Sequence, residues 1–166
     1  MTPVIEVRRI DESDWQVFRD LRLAALADAP RAFGSTLDQW RDAGEQRWRD
    51  RIAAVALNLV AEQDAAPVGM VSGTGPDAEG TVELISMWVA PAARQHGVGA
   101  GLVDAVVAWA QGAGGRQVVL QVTEGNREAT RLYRRHGFVT TGEVETRPHD
   151  GVREVRLALP VSPPRR

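Results

Sequence analysis

The chain has 166 residues, no cysteine, and 20 basic against 22 acidic side chains for a formal net charge of −2. That length suits one domain able to bury its own core, residues 1–160, followed by a loose, proline-bearing tail at 161–166. The lack of cysteine excludes disulfides, thiol nucleophiles and thiolate metal sites, and the near-neutral charge gives no broad basic face for nucleic acid. No apolar run nears the roughly 18 residues of a membrane span, and no signal-peptide pattern opens the chain, so a cytoplasmic location is expected, with no nucleic-acid or membrane partner.

In chain order, Val4 to Arg9 alternates as a first strand, and Asp11, Ser13 and Asp14 offer N-caps for a helix from Trp15 to Ala27 that Pro30 stops. The loop Arg31-Ala32-Phe33-Gly34-Ser35 leads to a second helical stretch, Leu37 to Ala54, which would set Trp40 and Trp48 on one side. Its charges, Asp38, Arg41, Asp42, Glu45, Arg47, Arg49, Asp50 and Arg51, alternate in sign like a solvated face. Leu57 to Gln63 and Val68 to Thr74 read as two strands joined by Asp64-Ala65-Ala66-Pro67, and Thr81 to Val89 as a long fourth strand. After a glycine-rich turn, Val98, Leu102, Ala105, Val106 and Trp109 recur at helical spacing up to Gly112, and Val118-Val119-Leu120 gives a short strand, completing a crossover with parallel strands. A helix from Asn126 to His136 and an antiparallel hairpin, Phe138 to Arg147 and Val152 to Leu159, end the fold.

The turn between the fourth strand and the following helix, Arg94-Gln95-His96-Gly97-Val98-Gly99-Ala100-Gly101, carries the chemistry. A helix start leaves several amides unpaired, and glycines let a phosphate oxygen approach them closely, so this is a diphosphate-site pattern. A dinucleotide G-x-G-x-x-G fails, because Leu102 stands at the third glycine position, and a P-loop fails because the chain has no lysine. What remains, Arg94-x-x-Gly97-x-Gly99, resembles the pyrophosphate motif of the GNAT superfamily of acyl-CoA-dependent N-acetyltransferases. A second block, Asn126-Arg127-Glu128-Ala129-Thr130-Arg131-Leu132-Tyr133-Arg134-Arg135-His136-Gly137-Phe138, resembles that family's N-x-x-A-x-x-L-Y-x-x-x-G-F helix and turn.

The resemblance implies an α/β (α+β) fold with a mixed, mostly antiparallel seven-stranded sheet, about four helices and splayed central strands. It also implies an acetyl-CoA cosubstrate, no metal, and acetyl transfer to a primary amine of a small molecule, peptide or protein by direct attack in a ternary complex. The lack of cysteine agrees with a route that has no acetyl-enzyme. A non-catalytic acyl-CoA-binding module is the alternative reading, and a homodimer is left open as an assembly. The implied cofactor contacts are the amides of Gln95, His96, Gly97, Val98, Gly99 and Ala100 for the pyrophosphate, and the backbone of Met87, Trp88 and Val89 for the pantetheine. Such an edge pairs like an added strand, and one amide can donate to the thioester carbonyl as charge develops there. Arg94 faces either phosphate or solvent, and the His96 ring is assigned no catalytic role. Asn126 can cap its helix and still touch CoA.

Two catalytic candidates follow. Tyr133, the only tyrosine, either packs in the core or protonates the departing thiolate, as the family position does in many members. Glu83, a lone carboxylate in an apolar strand, either faces solvent or removes a proton from the incoming ammonium, with Ser86 as a further residue for the cleft.

Overall fold

The computed structural model describes residues 2–163. Seven strands, β1 (Ile5–Arg9), β2 (Leu57–Gln63), β3 (Ala66–Gly73), β4 (Thr81–Val89), β5 (Gln117–Thr123), β6 (Val139–Thr146) and β7 (Arg153–Pro160), form one sheet in the order β1-β2-β3-β4-β5-β7-β6. Every neighbouring pair is antiparallel except β4 and β5. The helices are α1 (Trp15–Asp28), α2 (Leu37–Trp40), α3 (Glu45–Ala54), α4 (Val98–Gly112) and α5 (Arg127–Arg135). No helix of the described residues is long and apolar enough to cross a membrane.

The long helix expected over Leu37 to Ala54 is two helices, which raises the count to five. Thr36 and Gln39 form a capping box that starts α2, and the chain restarts helix at Gly44, whose extended backbone (φ −81°, ψ 172°) caps α3. Trp40 and Trp48 still meet, at 4.7 Å between ring centroids, but across this break, and the Trp48 indole donates to the Ala43 carbonyl. Two strands start or run beyond the expected limits. A two-residue turn with both Asp64 (φ 50°) and Ala65 (φ 67°) left-handed draws Ala66 and Pro67 into β3. β5 extends to Thr123 because Gln121 and Thr123 alternate with Leu120 and Val122, and all seven of its residues have partners on β7. Pro160 pairs with Gln117, and the Val161 amide donates to the Arg116 carbonyl, so the expected tail is anchored at its start; residues 164–166 lie outside the described residues.

The core divides between the two faces of the sheet. Val98, Leu102, Val103, Val106 and Ala110 of α4 bury against Leu59, Val71, Leu84 and Leu120 on one face, while Phe18, Leu21, Leu26, Trp48 and Ile52 of α1 and α3 bury against Val60, Met70 and Trp88 on the other. Strand alternation delivers each side chain to its face.

Two features of β4 open the middle of the sheet. Its pairing with β5 covers only Thr81, Val82 and Glu83 against Gln117, Val118 and Val119. Its pairing with β3 slips, from Ser72 opposite Ile85 to Met70 opposite Trp88, at a bulge where Ser86 takes a left-handed φ of 56°. The bulge reverses the alternation. Val82 and Leu84 face the α4 cluster before it, and Met87 and Val89 pack on that cluster after it, while Trp88 turns to α1. Past Glu83, β4 and β5 part, as the splayed central strands of the expected fold require.

Candidate functional site

A cleft of about 820 Å³ occupies the parting of β4 and β5. Its walls are Leu84 to Val89 of β4, Gln121 to Thr123 of β5, the start of α4, the inward side of α5, and Ala29, Ala32 and Phe33 after α1. It therefore runs between the two faces of the sheet.

At the α4 end, Gln95 (φ 66°) and Gly97 (φ 86°) are both left-handed, and Gly97 is the N-cap. The first helical bond runs from the Gly101 amide to the Gly97 carbonyl, so the amides of Val98, Gly99 and Ala100 have no helical partner and sit at the positive end of the α4 dipole. Arg94, Gln95, Gly97, Gly99 and Ala100 line the cleft. His96 is exposed, the Val98 side chain is buried in the core, and neither lines the cleft. Gly99 has a packing role as well: a Cβ there would lie 3.1 Å from Leu132 and 3.5 Å from Met87, so the missing side chain lets α5 and β4 close on α4. Arg94 is exposed at the rim of the cleft and is held in place by two partners. Its Nη2 pairs with Asp28 at 2.8 Å and its Nε donates to the Val89 carbonyl at 3.0 Å. The same Asp28 oxygen accepts from the Trp88 indole at 3.0 Å, and these two donors, Trp88 first, hold the carboxyl below its ordinary range.

Along the walls, Met87, Trp88, Val89, Asn126 and Tyr133 all reach the cleft. Asn126 caps α5, accepting from the Ala129 amide at 3.2 Å. Tyr133 is 5% exposed and stands edge-on to Phe138. Burial pushes its phenol above the ordinary value, so it is a neutral donor at any working pH, and its hydroxyl makes no hydrogen bond among the described residues. Glu83 is set apart from these. It lies where β4 and β5 are still paired, its backbone exchanging bonds with Thr74, and it is not among the residues lining the cleft. Ser86 does line it.

Behind Ser86 stands a group that no contiguous motif in the sequence announces. Arg22 of α1, 7% exposed, donates from Nη1 to the Ser86 hydroxyl at 3.1 Å and lies over the Phe33 ring. Arg51 of α3 donates to the same oxygen at 3.2 Å, to Ser72 and to Asn58, so it does not belong to a solvated face as expected. Burial lowers both guanidiniums, and with the like charge of Arg51 beside it Arg22 falls to about 10. A readable signal existed: Arg22 sits on the apolar stripe of α1 with Phe18, Leu21 and Ala25, and Arg51 beside Trp48 and Ile52. At the rim, Arg147 donates to the carbonyls of Arg31 (2.7 Å) and Phe33 (2.8 Å) and clasps Asp150. Among the described residues no cluster of His, Asp or Glu could hold a metal ion.

The model of the acetyltransferase (GNAT) family matches residues 15–138. No curated protein sequence matches the chain. Among solved structures, a GNAT-family acetyltransferase from Streptococcus pneumoniae superposes at a TM-score of 0.82 with 16% identity, over 96% of this chain and 100% of that one. The phosphinothricin acetyltransferase of Sinorhizobium meliloti, solved with acetyl-CoA, gives 0.77 and 17% over 98% and 90%. The ribosomal-protein-S18-alanine N-acetyltransferase of Escherichia coli gives 0.72 and 17% over 98% and 97%. With a sheet parted at β4 and β5, a glycine turn opening α4, and a family model that spans both from α1 to Phe138, the chain belongs to the GNAT acetyltransferase family.

Proposed function

We propose that the protein transfers the acetyl group of acetyl-CoA to a primary amine, with both bound in the cleft at once. The observation that carries this reading is the continuity of one cleft from unpaired helix amides, through a strand edge without a partner, to a buried phenol. Each part matches one part of the cosubstrate. The amides of Val98, Gly99 and Ala100 suit a diphosphate, the β4 edge at Met87 to Val89 suits the amide-bearing pantetheine arm, and Tyr133 suits the thiolate end. Acetyl-CoA supplies the activated acyl group. The chain's own residues orient it along β4, keep water from it, and donate the Tyr133 proton to the leaving sulfur. A β4 amide aimed at the carbonyl oxygen stabilises charge that grows only as the amine attacks. Arg94, held by Asp28, closes the side of the slot and carries positive charge beside the diphosphate end. Glu83 stands outside the wall, so its part in this reading is to take the ammonium proton through water.

Thiol release from acetyl-CoA across a panel of polyamines, aminoglycosides, amino acids and peptide N-termini tests the reading. Turnover with any of them supports it. A protein whose melting temperature rises with acetyl-CoA but which releases no thiol with any amine would instead be a non-catalytic acyl-CoA-binding module.

A further inference from the structure

The acceptor side of the cleft carries an unbalanced charge. Arg22 and Arg51 are both largely buried, and neither has a carboxylate within ion-pairing distance among the described residues. Their partners among the described residues are neutral: Ser86, Ser72, Asn58 and two aromatic faces. Two adjacent buried guanidiniums without a counter-charge are costly, because each loses hydration and each repels the other.

The Ser86 hydroxyl has one proton and two acceptor positions. Arg22 and Arg51 occupy both acceptor positions, at 3.1 and 3.2 Å. The Ser86 proton has no acceptor among the described residues, and the residue lines the cleft. Whatever meets Ser86 in the cleft must therefore accept a hydrogen bond, and the charge behind it favours an anion. The left-handed backbone of Ser86 at the bulge fixes this arrangement.

On the opposite wall stands Gln121 of β5. Val118, Leu120 and Val122 bury on the α4 side, so Gln121 projects to the face of Arg22 and Arg51. It lines the cleft, and its Oε1 is buried without a donor. One wall thus offers a donor backed by two positive charges, and the other carries the polar amide side chain of Gln121.

We propose that the amine acceptor carries a carboxylate, received by the Ser86 hydroxyl with Arg22 and Arg51 behind it, while its amino group lies toward Gln121. The substrate class is then an amino acid or a related amino-carboxylate. The inference rests on the transferase reading above, and it narrows the acceptor.

The test compares amino acids with their own carboxamides on the acetyl-CoA-loaded protein, reading both thiol release and the shift in melting temperature. The carboxamides are the weaker bases, so more of each is unprotonated near neutral pH, and intrinsic reactivity runs against the expected result. At least one amino acid should exceed its carboxamide by a hundredfold or more in kcat/KM. Ser86→Gly, which removes the hydroxyl and suits the left-handed backbone, should cut that ratio at least tenfold. A ratio within threefold in the native protein overturns the proposal, and so does silence of the whole panel in both readouts. Turnover of simple amines with no preference for the acid leaves the transferase reading standing and removes this one. A melting temperature that acetyl-CoA itself does not move would sink the transferase reading instead.

Discussion

Tyr133 packs in the core, and in the proposed reading the same side chain also serves the chemistry. Its ring is edge-on to Phe138 in the α4-side core, the residue lines the cleft, and burial holds the proton on its hydroxyl. Tyr133→Phe keeps the ring, so the melting temperature should move little. If the hydroxyl protonates the thiolate, kcat should fall about a hundredfold with acetyl-CoA affinity unchanged; a loss below threefold would leave Tyr133 as packing alone. Glu83 is the contrasting case. It is one strand residue short of the cleft wall, so its effect must pass through water. Glu83→Gln should lower kcat/KM by roughly 10²-fold near pH 7, with the loss shrinking as pH approaches the pKa of the acceptor amine, because an unprotonated amine needs no base. A loss equal at every pH would show an electrostatic hold on the ammonium rather than proton removal.

At the scale of elements, the entry to α4 combines a strained turn with an ion pair. Gly97 has φ 86° and nothing within 4 Å of where a Cβ would stand, whereas Gly99 is crowded by Leu132. Gly97→Ala should thus act through backbone strain, of about 1–2 kcal/mol, and re-aim the turn's amides. CoA affinity by calorimetry should drop about tenfold, and Gly99→Ala should instead lower stability by disturbing the α4–α5 contact. Asp28 ties the end of α1 to β4 and to this turn. Its folded pKa is depressed by the Trp88 and Arg94 hydrogen bonds, so its contribution to stability is present above the unfolded carboxylate value near 3.9 and is lost as pH falls through the folded value. The difference in melting temperature between the native protein and Asp28→Asn should accordingly be constant around pH 6–7 and narrow below about pH 4.

Element by element, the sequence spoke most clearly where turns bracket apolar runs. Leu57–Gln63 and Thr81–Val89 have the limits that their flanking turn residues suggest. At the α2–α3 break the one signal is Gly44, easily passed over because charged residues continue on both sides of Ala43 and Gly44. The sequence was silent at the bulge, since serine gives no sign of a left-handed φ. The glycine turn and the Asn126–Tyr133 helix were legible because they are contiguous. The Arg22–Arg51–Ser86 cluster joins three distant segments, and only the fold brings it together.

Across the whole molecule, the C-terminal hairpin secures the N-terminal loop beside the cleft. Arg147, 9% exposed at its side chain, satisfies the Arg31 and Phe33 carbonyls and is itself fixed by Asp150 and Glu154. Arg147→Met would strand those carbonyls, at least one of them buried, at about 1–3 kcal/mol each. The expected result is a fall in stability of about 2–4 kcal/mol by denaturant unfolding, with a raised KM for the amine because Phe33 walls the cleft. Arg147→Lys should recover little, since a single ammonium cannot replace a planar fork with several simultaneous partners.

The parallel junction of β4 and β5 is only three residues long on each strand. Mechanically, the sheet is two leaves, β1 to β4 and β5-β7-β6, bound along a short spine. In the proposed reading a cosubstrate lying in the gap supplies rungs that the ladder lacks, so filling the site would also finish the sheet, and the width at which the leaves come to rest would be set by the molecule between them.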